Sequence, residues 1–236
     1  QDPQGCADNG KESEEVGKLH KCAASVLMTI MFCARLARHD LLRPTSHLAT
    51  YLHKWTPLCD KKLHRLMCYI KSSLEDRAVG FVGDPISELW LALFADADFA
   101  GDREGSKSTG GGFLVLMGKN TFFPLTAISK KHGCTSNSTV EAEIVTLNSV
   151  VRTVGIPSLD LWEKIMGRTV ELVCYEDNQA TAKIVRSGKF KAMRHVKRTH
   201  GVQLSFLTEQ LKAGTFTLED CHTRVMCADI FTKHFT

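Results

Sequence analysis

Apolar residues recur at steps of three and four between Val16 and Ala37, so Leu19, Ala23, Val26, Ile30, Cys33 and Ala37 share one face of a predicted helix. After a break around 40–44, two more segments keep helical spacing, near Thr45–Trp55 and near Asp60–Glu75. The second carries Leu63, Leu66, Met67 and Ile70. Residues 16–79 therefore read as a small helical unit. Residues 1–15 are polar, with almost nothing to bury, and are expected to form a disordered tail. Two glycines and a proline mark 80–87 as a linker.

Beyond it the period changes. Leu89–Asp96 is an apolar run ending in an acid, the pattern of a central strand covered on both faces. Gly110–Met117 and Phe122–Ser129 read as two further strands around the turn Gly118-Lys119-Asn120, which makes an antiparallel meander. A helix is expected from Thr139 to Val154, stopping before Pro157. Val170–Glu176 is another buried strand and Asn178–Ser187 a short helix. A longer helix at Thr199–Lys212, a strand at Thr215–Leu218 and a last helix from Met226 complete residues 88–236. The fold class is α/β.

Composition narrows the setting. Of 236 residues, 43% are hydrophobic, enough for a substantial core, and the formal net charge of +4 is compatible with a polyanionic partner without demanding one. Nine cysteines are an odd number with no C-x-x-C pair, which argues for free thiols over a disulfide framework or zinc ribbon. Cys221 and Cys227 near His222 lack a fourth zinc ligand at sensible spacing. The run Cys22–Ala34 is too short to span a bilayer and contains Ser25 and Thr29, so it reads as a core helix. The chain begins with Gln and no secretory signal, and looks like a fragment or a piece cut from a longer precursor.

Four acids sit where an ordinary fold would place apolar side chains. Asp96 ends the first strand and Asp177 follows the buried strand Val170–Glu176. If those strands are parallel neighbours, both acids emerge at one sheet edge, although an Asp at a strand end also starts turns and caps helices. In the helix at 139–154, Ser138-Thr139-Val140-Glu141 has capping-box spacing, which gives Glu141 a structural task. Glu143 lies one turn before Leu147 on the stripe continued by Val150 and Val154, and a carboxylate so directed is costly unless paired, protonated or metal-bound. The alternative is that it lies at the stripe's edge and reaches solvent. Asp229 is embedded in Met226-Cys227-Ala228-Asp229-Ile230-Phe231. Hard oxygen ligands of this kind suit Mg²⁺ or Mn²⁺.

These residues resemble a known family. Ala95-Asp96-Ala97-Asp98-Phe99-Ala100-Gly101-Asp102, followed by Lys107-Ser108-Thr109-Gly110-Gly111, resembles the "SDADWAGD…KSTSG" opening of copia-type retrotransposon RNase H domains, with Phe99 at the usual Trp. Ile128-Ser129-Lys130-Lys131 resembles "SWSSKKQ", Ser138-Thr139-Val140-Glu141-Ala142-Glu143 resembles "SSTEAEY", and Glu176-Asp177-Asn178-Gln179-Ala180 resembles "CDNQAA". Ala228-Asp229-Ile230-Phe231-Thr232-Lys233 resembles "ADILTK", and His195, Arg198, Thr199 and His200 fit "HARTKHID" loosely. The segment 16–79 more faintly resembles the thumb or connection stretch before RNase H in the Pol polyprotein, at Arg43-Pro44, Leu48–Leu52 and Leu63–Lys71. No YxDD polymerase motif is present.

The resemblance implies an RNase H-like fold: a five-stranded mixed sheet with flanking helices. It implies an endoribonuclease that hydrolyses the RNA strand of RNA–DNA hybrids with two Mg²⁺ ions (or Mn²⁺), held by Asp96, Glu143, Asp177 and Asp229. His222 lies where related nucleases keep a mobile His. The implied partners are the hybrid and the reverse transcriptase core of the same polyprotein, with no membrane and no small-molecule cofactor. The implied location is a cytoplasmic virus-like particle or the nucleus.

From Asn178 to Thr208 the chain carries Lys183, Arg186, Lys189, Lys191, Arg194, Lys197 and Arg198 and no acid, so a basic surface to hold phosphates is expected beside the acids. Ser108, Thr109, Asn178 and Gln179 are candidates, by position, for touching the hybrid. A second reading is a catalytically inactive module of the same fold that only binds nucleic acid or acts as a scaffold. An integrase is disfavoured because its Glu would come last.

Overall fold

The computed structural model describes residues 15–101, 106–189, 195–201 and 204–233. Lys191, Arg194 and nearly all of the polar stretch at 1–15 lie outside them. Three helices come first: α1 (His20–Leu36), α2 (Leu42–Ala49) and α3 (Pro57–Ser72). The sheet strands are β1 (Trp90–Asp98), β2 (Thr109–Gly118), β3 (Thr121–Lys131), β4 (Leu172–Glu176) and β5 (Thr217–Asp220), in the order β3-β2-β1-β4-β5. β1 pairs antiparallel with β2 and β2 with β3, whereas β1–β4 and β4–β5 are parallel. This is the five-stranded mixed sheet that the resemblance implies. Pro124 is accommodated in β3 because that strand is an edge and its register with β2 shifts beside it, at Leu114/Val115.

Strand alternation divides the interior in two. Leu91, Leu93 and Ala95 enter one core with α4 (Thr139–Val150), α6 (Gln179–Ser187) and α8 (Leu204–Lys212). Ala92 and Phe94 enter the other, against Leu27 and Ile30 of α1, Leu48 of α2, Leu63 and Leu66 of α3, and Phe231 near the chain end. The unbroken apolar run in β1 follows from this two-sided cover. The first three helices thus form the second layer on the sheet. Polar contacts reinforce the packing: Arg43 Nε donates to the Thr232 carbonyl at 2.9 Å, and Ser46 Oγ to the Ser129 carbonyl at 3.1 Å. The stretch at 80–87 also lies against the sheet. Phe81 bridges Phe122, and the Asp84 carboxylate accepts from the Asn120 backbone N–H at 2.6 Å and from Thr121 Oγ1 at 2.7 Å.

The structure corrects several expected boundaries. The helix expected to stop before Pro157 passes through a π-helical turn at Val151–Gly155 into α5 (Ile156–Met166). Pro157 stands in the first turn of that helix, where its missing N–H costs nothing. The helix expected over Thr199–Lys212 is divided into α7 (Val196–His200) and α8, with Gly201 in the left-handed conformation at φ 66° ending α7. The last helix, expected from Met226, is only a 3₁₀ turn at Cys227–Phe231.

Candidate metal centre

Parallel pairing of β1 and β4 brings their carboxyl ends to the same sheet edge, and Asp96 and Asp177 arrive there together. Asp229 is delivered by the 3₁₀ turn Cys227–Phe231, which anchors Ala228 and Phe231 in the second core. Phe231 packs on Phe113 with ring centroids 5.5 Å apart. Next to the turn, Thr232 is fully buried and donates its hydroxyl hydrogen bond to Asp96. Glu143 comes from α4, one turn inside the Ser138 cap, whose hydroxyl accepts from the Glu141 backbone N–H at 3.1 Å.

The acids form two overlapping groups. One oxygen each from Asp96, Asp177 and Asp229 lie within 4.8 Å of one another, and so do one each from Glu143, Glu176 and Asp177. Asp177 belongs to both. Burial pushes the Asp96 carboxyl up to about 6; the Thr232 hydroxyl opposes this, while Asp229 and Asp177 add to it. Burial pushes Glu143 higher, to about 10, with the charges of Glu176, Asp96 and Asp177 adding to the effect. Glu176 is also driven well up by burial and by Asp177 and Asp96, although the Asn178 backbone N–H opposes it. Lys233 places its ammonium 2.6 Å from Asp229 Oδ2.

Glu143 Oε2, Glu176 Oε2 and Asp229 Oδ1 are buried without a hydrogen-bond partner. Leaving such oxygens unpaired is costly, and divalent cations would satisfy them. The donor set is all carboxylate oxygen, as hard cations of the Mg²⁺ type require. By this measure the residues fit the metal.

No family model matches this chain. Over 198 residues it is 26% identical to the retrovirus-related Pol polyprotein from transposon RE1 of Arabidopsis thaliana, a match covering 83% of this chain and 13% of that protein. The corresponding polyprotein from transposon RE2 of the same plant is 27% identical over 205 residues, again covering 83% and 13%. The chain is similar over most of its length to these retrotransposon Pol polyproteins. It spans only about an eighth of the length of these curated relatives, 13% in each case. Among solved structures, an RNase H1 isolated from compost by a metagenomic approach matches 61% of this chain and 92% of its own, with 14% identity and a TM-score of 0.41.

The other expected contact residues fall differently. His222 is exposed, and its Nδ1 accepts from the Arg224 backbone N–H at 3.0 Å, so it caps a 3₁₀ turn and joins neither acid group. Ser108 and Thr109 are buried at 0% and 4% exposure, so neither presents its hydroxyl to a duplex. Asn178 spends its side-chain oxygen on the backbone N–H groups of Ala180 and Thr181, as the cap of α6; Gln179 is exposed. Lys183, Lys189, Lys197 and Arg198 are exposed, whereas Arg186 is tied to Asp220 at 3.2 Å and to the Leu218 carbonyl at 2.8 Å.

Sequence reasoning did not assign Glu176, although a signal for it existed. In β4 it shares the face of Leu172 and Cys174, so period-two alternation places it inside. It also assigned Glu141 only a capping role. The buried Glu141 carboxylate accepts from the Asn137 backbone N–H at 3.1 Å and lies 3.1 Å from His195 Nε2 and 3.0 Å from His200 Nε2. This contact holds α7 on the first turn of α4.

His132, near His200, has a lowered pKa of about 4 against 6.5 ordinarily, through burial first and then the nearby His200 and Lys130 charges. It folds neutral, so the unfolded chain binds more protons between these values, and stability falls as pH drops through the window. The loss attributable to His132 is at most roughly 3 kcal/mol. Asp96 and Glu143 act in the opposite sense, because their raised values favour the fold at lower pH. The His132 contribution is therefore isolated by difference. The melting temperature of wild type should fall relative to that of His132→Leu as the pH drops from 6.5 to 4. Parallel curves would remove His132 as the cause.

Proposed function

We propose that this chain is the RNase H-like part of a retrotransposon reverse transcriptase and hydrolyses the RNA strand of RNA–DNA hybrids with two Mg²⁺ or Mn²⁺ ions. The observation that carries this reading is the pair of carboxylate groups sharing Asp177, with buried oxygens that lack protein partners. Asp96, Glu143, Asp177 and Asp229 hold the cations. When bound, such a pair activates water and stabilises the leaving oxygen of a phosphodiester.

The protein's own contribution is mainly positioning. Thr232 fixes the rotamer of Asp96 through its hydroxyl, and the Lys233 ammonium orients Asp229. Lys183, Lys189, Lys197 and Arg198, on and around α6 and α7, hold the duplex backbone by charge without reading its sequence. The polymerase portion of the polyprotein is the partner that supplies the hybrid.

The test is cleavage of an end-labelled RNA–DNA hybrid beside RNA and DNA duplexes of the same sequence. Wild type should cut only the RNA of the hybrid, in Mg²⁺ and not in EDTA, and leave 3′-hydroxyl ends. Asp96→Asn should lower the rate by about 100-fold or more with the fold intact. A wild-type protein that binds Mg²⁺ and the hybrid but does not cut would favour the scaffold reading. Equal cleavage by wild type and Asp96→Asn would refute the site assignment.

A further inference from the structure

The four acids of the proposed nuclease account for only part of the carboxylate chemistry at this sheet edge. Glu176 is fully buried at 0% exposure. One of its oxygens, Oε1, accepts from the Asn178 backbone N–H at 3.2 Å. The other, Oε2, is buried without a hydrogen-bond partner, and so is Oε2 of Glu143. Glu143, Glu176 and Asp177 each contribute an oxygen to a group within 4.8 Å. In the "CDNQAA" motif that this segment resembles, a cysteine stands at position 176.

The two acid groups are not equivalent. At Asp96–Asp177–Asp229 the Lys233 ammonium already offsets part of the charge and Thr232 donates to Asp96. Among the described residues, no Lys or Arg is ion-paired with Glu143 or Glu176. Three converging carboxyl groups, two with unpartnered buried oxygens, call for a cation there. We propose that Glu176 is a fifth carboxylate ligand, which holds one divalent cation together with Glu143 and Asp177. This rests on the reading of the acids as a divalent-cation centre. It adds to that reading a ligand from the strand itself, placed by the same alternation that buries Leu172 and Cys174.

The rival account is a buried Glu143–Glu176 pair that shares a proton and has no role in metal binding. Gln at 176 keeps the size and a hydrogen-bond donor, and Cys restores the residue of the resembling motif. Neither asks the core for more room. Mn²⁺ is the probe, titrated calorimetrically and by paramagnetic resonance into full-length wild type, Glu176→Gln, Glu176→Cys and Asp229→Asn.

Wild type should bind two Mn²⁺ ions, and both Glu176 variants should weaken one of them by about tenfold or more while keeping the other. Asp229→Asn should weaken the opposite one. The Mn²⁺-induced rise in melting temperature should shrink in the Glu176 variants, while their metal-free melting temperature should equal or exceed that of wild type. If the Glu176 variants bind both ions as wild type does, the shared-proton account holds and the proposal is overturned. Two ions in wild type with unchanged Glu176 variants would leave the nuclease reading standing. No Mn²⁺ binding by wild type would overturn both.

Discussion

Asp177→Asn should remove both cations at once and produce the largest loss of activity of any single substitution in the chain. Among the described residues Asp177 alone belongs to both acid groups, so on the two-cation reading its carboxylate would help to hold each of them. Cleavage of the hybrid should fall by about 1,000-fold or more, a barrier increase of roughly 4 kcal/mol. Mn²⁺ titration should detect no tight site. The same substitution should not unfold the protein. The charge of Asp177 adds to the burden on Asp96, Glu143 and Glu176, so its removal relieves the metal-free fold. The melting temperature without metal should therefore stay level or rise while the metal-dependent increment disappears. Two intact binding events in the variant would show that Asp177 does not bridge.

The second large effect comes from a residue with no chemistry of its own. Gly111 in β2 stands opposite Asp96 in the antiparallel register. A Cβ there would lie 2.7 Å from Thr232 Cγ2, 2.9 Å from the Ala228 carbonyl oxygen and 3.1 Å from Phe231 Cβ. The carbonyl is backbone of the turn that presents Asp229, so relief requires the turn to move. Gly111→Ala should cost about 1–3 kcal/mol of stability. Because a shift near 1 Å at reacting groups is expensive, cleavage should fall by about 100-fold. Gly133→Ala, where a Cβ meets nothing within 4 Å, should change neither. Measured side by side, equal activities of the two variants would show that the turn tolerates displacement.

Much of the fold is legible because its signals are local. The unbroken run ending at Asp96 requires cover on both faces of β1, and the stripe Leu19–Ala37 requires a partner for one face of a helix. That these two requirements satisfy each other is not local information, and no spacing in the chain expresses it. Pro157 misleads because a proline that stops one helix is equally suited to begin the next, and the π-helical turn keeps the chain direction. At the acids, Glu143 is legible from its helical face. Glu176 is masked by the strand-end Asp beside it, although alternation alone buries it. Ser108, Thr109 and Asn178 show what position leaves out. Position suggests contact with a ligand, but burial and capping, which decide whether a hydroxyl or amide is free, depend on residues elsewhere.

The hydrogen bond from Arg43 to the Thr232 carbonyl joins positions 189 apart along the chain. It ties the first helical layer to the residue that steadies Asp96 and follows the turn presenting Asp229. The nuclease reading would assign catalysis to the later part of the polypeptide, yet the geometry of its final acid is underwritten by the earliest. Trimming such a protein to the segment that carries its motifs would strip one side of the sheet and release the turn that carries Asp229. In this architecture, the smallest piece that contains every recognisable signature is smaller than the smallest piece that keeps both faces of the sheet covered.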